Sequence, residues 1–216
     1  MSGKLAAWLA LISAQILLNY AARAASSGTP DRNAVYHYSL PAAGLVQYAV
    51  ILGVVVAIAG VGHVRELLAL RRPTIWAVAA KTSLVVIVGV VLLNYLLDPL
   101  LHPGREQGLT PTGWQSGHVG AFVASFLLLV IVGPFVEEAT FRGLGYSLLA
   151  PFGELTAILT IGLLFGLAHG LVEALPILAA LGAGLAWVRA RTDSLYPGFA
   201  VHALFNAFAL IVAVTT

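Results

Sequence analysis

The chain has 216 residues, of which 60% are hydrophobic and 9% charged, with a mean hydropathy of +0.95. Soluble domains carry roughly 25% charged residues, so this composition excludes a water-soluble globule and indicates an integral membrane protein. A net charge of +2 without a Lys/Arg run excludes a nucleic-acid-binding surface, and the lack of cysteine removes disulfides, thiolate metal sites and a cysteine nucleophile together.

A bilayer core needs roughly 20 apolar residues per helix. Seven stretches reach or approach that length: Leu5 to Ala22, Gly44 to His63, Ile75 to Leu97, Val119 to Leu149, Leu155 to Leu171, Ile177 to Ala190 and Tyr196 to Val214. The expected fold is therefore all-α, a polytopic transmembrane helical bundle of about seven spans. Residues 1–118 supply N-terminal helices and loops, and 119–216 a helical core, within one structural unit. The first stretch is read as an uncleaved helix, although Lys4 before an apolar run and Ala22-Arg23-Ala24-Ala25-Ser26 after it also resemble a signal peptide. The fourth is long enough to tilt or to emerge from the bilayer. Gly182, Ala183 and Gly184 in the sixth allow close helix approach.

Loops are expected over Ser26 to Pro41, Arg65 to Pro73, Asp98 to Gly117, Pro151 to Gly153, Glu173 to Pro176 and Thr192 to Pro197. Lys4, Arg65, Arg71, Arg72, Arg189 and Arg191 fall on one side, with Arg23, Arg32 and Arg105 opposite. That asymmetry favours a cytoplasmic N-terminus in a cell membrane. Trp8, Trp76, Trp114 and Trp187 fall near span ends or loops, as interfacial anchors do. His37, His63, His102, His118 and Glu173 read as solvated loop or helix-end residues. Gly113-Trp114-Gln115-Ser116-Gly117 has one residue too many for a serine-protease Gly-x-Ser-Gly and lies in a loop.

Three polar clusters interrupt the later helices: Glu137-Glu138 with Arg142, Phe165 with His169, and His202 with Asn206. Ionisable groups at membrane depth cost several kcal/mol and by default mark function. Measured from the Pro151–Gly153 turn, helix rise puts Glu137 about 18 Å and His169 about 21 Å deep; His202 and Asn206 lie about 8 and 14 Å from Pro197. Three helices can thus bring their polar groups to one level, with His202 nearest the cytoplasmic face. Glu138 and Arg142, four apart, share a face and should pair, which leaves Glu137 without a partner on its own helix. A desolvated carboxylate has a raised pKa and suits a general base. Plainer roles stand beside these: Glu137 as a helix-end carboxylate, His169 contacting free C-terminal carbonyls, His202 at the interface, Asn206 hydrogen-bonded to another helix, and Phe165 as packing.

Together, Glu137-Glu138…Arg142, Phe165…His169 and His202…Asn206 resemble, in order, the motifs of the CAAX-protease and bacteriocin-processing (CPBP, or Abi) family of intramembrane endopeptidases. The resemblance covers roughly residues 119 to 208. It implies hydrolysis of a peptide bond in a membrane-associated protein or peptide, prenylated CAAX proteins being the named family substrate. It also implies roles: Glu137 and His169 prepare a water, His202 and Asn206 form the oxyanion hole, and Glu138 and Arg142 are structural. No cofactor is required on this reading. Zinc on Glu137, His169 and His202 is the minority mechanism, since His-Glu-x-x-His is absent and asparagine is a poor zinc ligand. The alternatives are a catalytically idle scaffold or bacteriocin-immunity membrane protein, and a haem or ion-handling protein using His169 and His202. The lipid bilayer and a membrane-associated substrate are the expected partners.

Overall fold

The computed structural model describes residues 2–25, 31–101, 111 and 113–215. Seven principal helices run through them: α1 (Ser2–Ala25), α2 (Ser39–Ala59), α3 (Trp76–Leu101), α4 (Ser116–Phe152), α5 (Glu154–Ala168), α6 (Leu175–Thr192) and α7 (Tyr196–Thr215). There is no strand among the described residues. His102, Arg105 and the Ser26 end of the cleavage-like sequence lie outside the described residues, as does half of the expected loop from Asp98 to Gly117.

Each helix follows one of the seven apolar stretches, but five of them, α1 to α4 and α7, are long and apolar enough to cross a membrane. Five candidate spans support a polytopic bundle and leave the expected count of about seven unconfirmed. α5 has 15 residues, about 22 Å at 1.5 Å each, which falls short of a 30 Å hydrocarbon core. α6 ends in Arg189 and Arg191, which shortens its apolar stretch. α3 also runs further than expected, taking Asp98 and Pro99 into its last turn.

Large apolar side chains cover the outside of α1 to α3, among them Leu17, Leu18, Val46, Tyr95 and Leu96, all exposed. A water-soluble monomer rarely presents so much contiguous apolar surface; facing lipid, it is satisfied. α4 is the most enclosed of the five. α5 and α6 meet at glycines: a Cβ on Gly182 would stand 2.9 Å from Gly162 Cα, and one on Gly162 would stand 2.8 Å from Ala179 O. The small-residue contact expected for α6 is thus made against α5, while Gly184 meets Val86 of α3.

Lys4, Arg71, Arg189 and Arg191 gather at one end. Lys4 Nζ donates to Ala59 O at the close of α2, and Arg191 pairs with Glu154 at the start of α5 (3.0 Å). Asp193, in left-handed conformation after α6 (φ 49°), binds Arg71 (2.6 Å) and Arg189 (2.8 Å). Beside it Leu195 N–H donates to Ala69 O and Ser194 Oγ to Arg71 O. The 68–72 segment therefore lies over the α6–α7 turn, and Ser194, Leu195, Pro197 and Gly198 are all buried. α7 starts inside the bundle rather than at its edge. That corrects the depth assigned to His202 from Pro197, because the turn is roofed by the 68–72 segment.

Burial alone would raise the Asp193 carboxyl, but the hydrogen bond from Arg71 and the charge of Arg189 outweigh it and hold the group below its ordinary value. A depressed carboxyl contributes stability above its unfolded pKa, near 3.9, and loses it as pH falls through the folded value. The melting temperature of Asp193→Asn in detergent should therefore lie a few degrees below wild type at neutral pH. The gap should close below about pH 4, a course that a melting series across pH 3 to 8 would follow.

Candidate active site

Glu137 and Glu138 close a six-residue α-helical stretch, Gly133–Glu138, set between two π-helical stretches of α4, Leu128–Val132 and Ala139–Gly145. The sequence dictates part of this. Gly133 N–H reaches back five residues to Leu128 O, so Leu129 O would next look to residue 134. That residue is Pro134, which has no N–H. Asn206 Nδ2 from α7 supplies the missing donor to Leu129 O at 2.9 Å. In the second π stretch Trp8 Nε1 donates to Thr140 O at 2.9 Å. Trp8 is thus fully buried against Phe141 rather than an interfacial anchor; Trp76 and Trp114 are exposed. π stretches of this kind often accompany functional sites.

Glu138 and Arg142 form the buried pair that their spacing predicts (2.8 Å, both side chains enclosed). Glu138 Oε1 also accepts from His202 Nδ1 at 3.1 Å. Arg142 Nη2 donates to Gly182 O of α6 at 3.1 Å, and its guanidinium lies 4.1 Å from the centroid of the Phe165 ring. Phe165 in turn sets its ring edge-to-face against both imidazoles, at 4.6 Å from His169 and 5.6 Å from His202. Packing is the role this geometry gives Phe165: it is the floor on which the two histidines stand.

Glu137 lies on the other side of the two imidazoles. Its Oε2 is 3.9 Å from His169 Nε2 and 3.7 Å from His202 Nε2. Both gaps exceed a direct hydrogen bond, so the carboxylate and the two imidazoles converge without pairing directly. The remaining ring nitrogens fix the tautomers. His169 Nδ1 lies 2.7 Å from Phe165 O, which can only accept, so Nδ1 carries the proton and a neutral ring offers a lone pair at Nε2. His202 Nδ1 faces the Glu138 carboxylate, so it too carries a proton. His202 is buried, not interfacial, and level with Glu137 rather than nearer the cytoplasmic face. His169 Nδ1 holds the helix-end carbonyl of Phe165 while its Nε2 faces Glu137. Asn206 contacts the Glu137 helix through Leu129 O but has no hydrogen bond to Glu137 or either histidine.

One group on Glu137 was not visible in the motifs. Tyr48 of α2 donates its hydroxyl to Glu137 Oε1 at 2.8 Å. A tyrosine in an apolar run reads as an interfacial anchor, and nothing local marks it otherwise. Asn19 of α1 similarly donates to Ala168 O beside His169. As to metal, Glu137, His169 and His202 converge, yet among the described residues no group of three His, Cys, Asp or Glu is arranged to hold an ion.

Residues 119–208 match the family described as type II CAAX prenyl endopeptidase Rce1-like. This segment belongs to the CAAX-protease (CPBP) family. All three polar clusters fall inside it. No curated protein and no solved structure matches the chain. The matched family is one of CAAX prenyl endopeptidases, and the apolar helices support a multi-pass membrane protein.

Removing one partner of a buried ion pair strands the other at a cost of about 3–5 kcal/mol. Arg142→Ala should lower the melting temperature in detergent by roughly 10 °C. Arg142→Met with Glu138→Gln should recover part of that loss, so a double-mutant cycle read by thermal unfolding checks the pair.

Proposed function

We propose that the protein is a glutamate-dependent intramembrane endopeptidase acting on a membrane-associated, CAAX-type substrate. The observation that carries this reading is the single carboxylate oxygen, Glu137 Oε2, facing two imidazole nitrogens at 3.9 and 3.7 Å without a direct hydrogen bond to either. Glu137 takes a proton from a water held with His169 Nε2. The resulting hydroxide oxygen bonds to the scissile carbonyl carbon, and the carbonyl oxygen becomes an oxyanion. His202, whose Nδ1–H is bound to Glu138, presents Nε2–H as an imidazolium, and the two carboxylates Glu137 and Glu138 together balance it and Arg142. The second Nδ2–H of Asn206, not used on Leu129 O, joins it at the oxyanion. Collapse breaks the C–N bond, and the proton held by Glu137 passes to the departing amine, leaving a carboxylate and an amine.

Each part supplies a known share. A positioned general base is worth about 10²–10⁴ in rate, and a lost oxyanion donor costs about 3–4 kcal/mol. Glu138 extends beyond the structural role the motifs imply, because it orients the His202 ring through Nδ1–H as well as pairing with Arg142. The basic end bearing Lys4, Arg71, Arg189 and Arg191 favours a cytoplasmic N-terminus in a cell membrane by the positive-inside rule. No observation favours the scaffold or immunity reading over an enzyme.

The test uses full-length protein in detergent or liposomes and a fluorogenic peptide ending in a farnesylated Cys-a-a-X sequence. Glu137→Gln should abolish cleavage, and His169→Ala and His202→Ala should each slow it at least about 100-fold, with melting temperatures that leave the bundle folded. Variants that cleave at wild-type speed would refute the assignment.

A further inference from the structure

We propose that Tyr48 is a positioning residue for Glu137, holding one carboxylate oxygen so that the other is offered to the two imidazoles. This rests on the reading of Glu137 as the base. Tyr48 comes from α2, outside the matched segment 119–208, so the N-terminal helices contribute to the site rather than merely enclosing it.

The two oxygens of Glu137 are divided between neighbours. Oε1 accepts from the Tyr48 hydroxyl at 2.8 Å, and Oε2 faces His169 and His202. A glutamate on a helix has three side-chain torsions to fix. Its own helix gives Glu137 no partner, since Arg142 is committed to Glu138 and Gly182 O. The Tyr48 hydrogen bond is the contact within direct hydrogen-bonding distance that sets the plane of the carboxylate. Without it, Oε1 and Oε2 can exchange places or turn away from the histidines.

The surrounding sequence is shaped for this reach. Gly133 lies four residues before Glu137, on the same face of α4. A Cβ there would stand 2.8 Å from the Tyr48 hydroxyl oxygen and 3.0 Å from Cζ, so any other residue would push the phenol away. Gly44, four residues before Tyr48 on α2, meets the Leu128 side chain where a Cβ would collide. Two glycines, one on each helix, thus bring α2 close enough for the hydroxyl to arrive. The ionisable groups near Glu137 are Tyr48 from α2, His169 from α5, His202 from α7, and Glu138 and Arg142 from α4.

A hydrogen bond to the charged form of a carboxylate favours that form. Tyr48→Phe deletes the donor and keeps the ring. With the same farnesylated reporter peptide it should lower kcat about tenfold at pH 6 with little change in KM. The acidic limb of the kcat–pH profile should move upward by about half a unit or more. Tyr48→3-fluorotyrosine, a stronger donor of nearly the same shape, should move that limb downward. A residue that only packs α2 on α4 would shift neither. A wild-type limb in Tyr48→Phe, while Glu137→Gln is inactive, overturns the role of Tyr48. Should the phenylalanine variant fail to fold, an unmoved limb in the fluorotyrosine protein overturns it equally. Full activity in Glu137→Gln would instead remove the reading of Glu137 on which this rests.

Discussion

A single carboxylate oxygen holds the interior together. Glu138 Oε1 accepts from Arg142 on its own helix and from His202 on α7, while the same guanidinium reaches Gly182 O on α6 and lies on the Phe165 ring of α5. In a hydrocarbon surrounding, an ionised group without a partner is too costly to keep. Charge neutralisation therefore dictates which faces of α4, α5, α6 and α7 turn inward. Gly198 makes room for it, since a Cβ there would stand 2.9 Å from Glu138 Oε2. With Glu138 and Arg142 paired, the adjacent Glu137 is left facing the two histidines.

α4 carries this arrangement because it is not a uniform helix. Its π stretches bracket the two glutamates and leave carbonyls that side chains from α1 and α7 fill, Trp8 at Thr140 and Asn206 at Leu129. Pro134 is what makes the second of these obligatory. Asn206 then has two tasks on this account: one N–H replaces the donor that proline lacks, and the other remains for substrate. The α6–α7 turn, roofed by residues 68–72 and knotted through Asp193, sets where α7 begins and hence the level at which His202 and Asn206 stand.

Much of this was legible in the sequence because its physics is local. Hydrophobic runs gave the seven helices, and four-residue spacing gave the Glu138–Arg142 pair and the shared face of His202 and Asn206. Polar residues stranded in apolar helices pointed to Glu137, His169 and His202. What was not legible depends on contacts between distant segments. Counting residues from Pro197 misplaced His202, since no local signal says that the turn is buried beneath Leu68 and Ala69. Trp8 and Tyr48 look like interfacial aromatics until a carbonyl and a carboxylate from α4 are brought beside them. The span count stays open for a related reason: α5 and α6 are apolar, yet their length and end charges suit helices packed within the bundle as much as crossings of it.

The central claim is that one water is held between Glu137 and the two imidazoles, inside the bundle and out of contact with lipid. An experimental density map of the full-length protein in a lipid nanodisc, at a resolution that shows ordered water, tests it directly. The account predicts one water within hydrogen-bond reach of Glu137 Oε2 and of at least one histidine Nε2, with the Tyr48 hydroxyl on Oε1. A Glu137 carboxylate turned outward to the acyl chains, with both histidines bound to other groups, would contradict it.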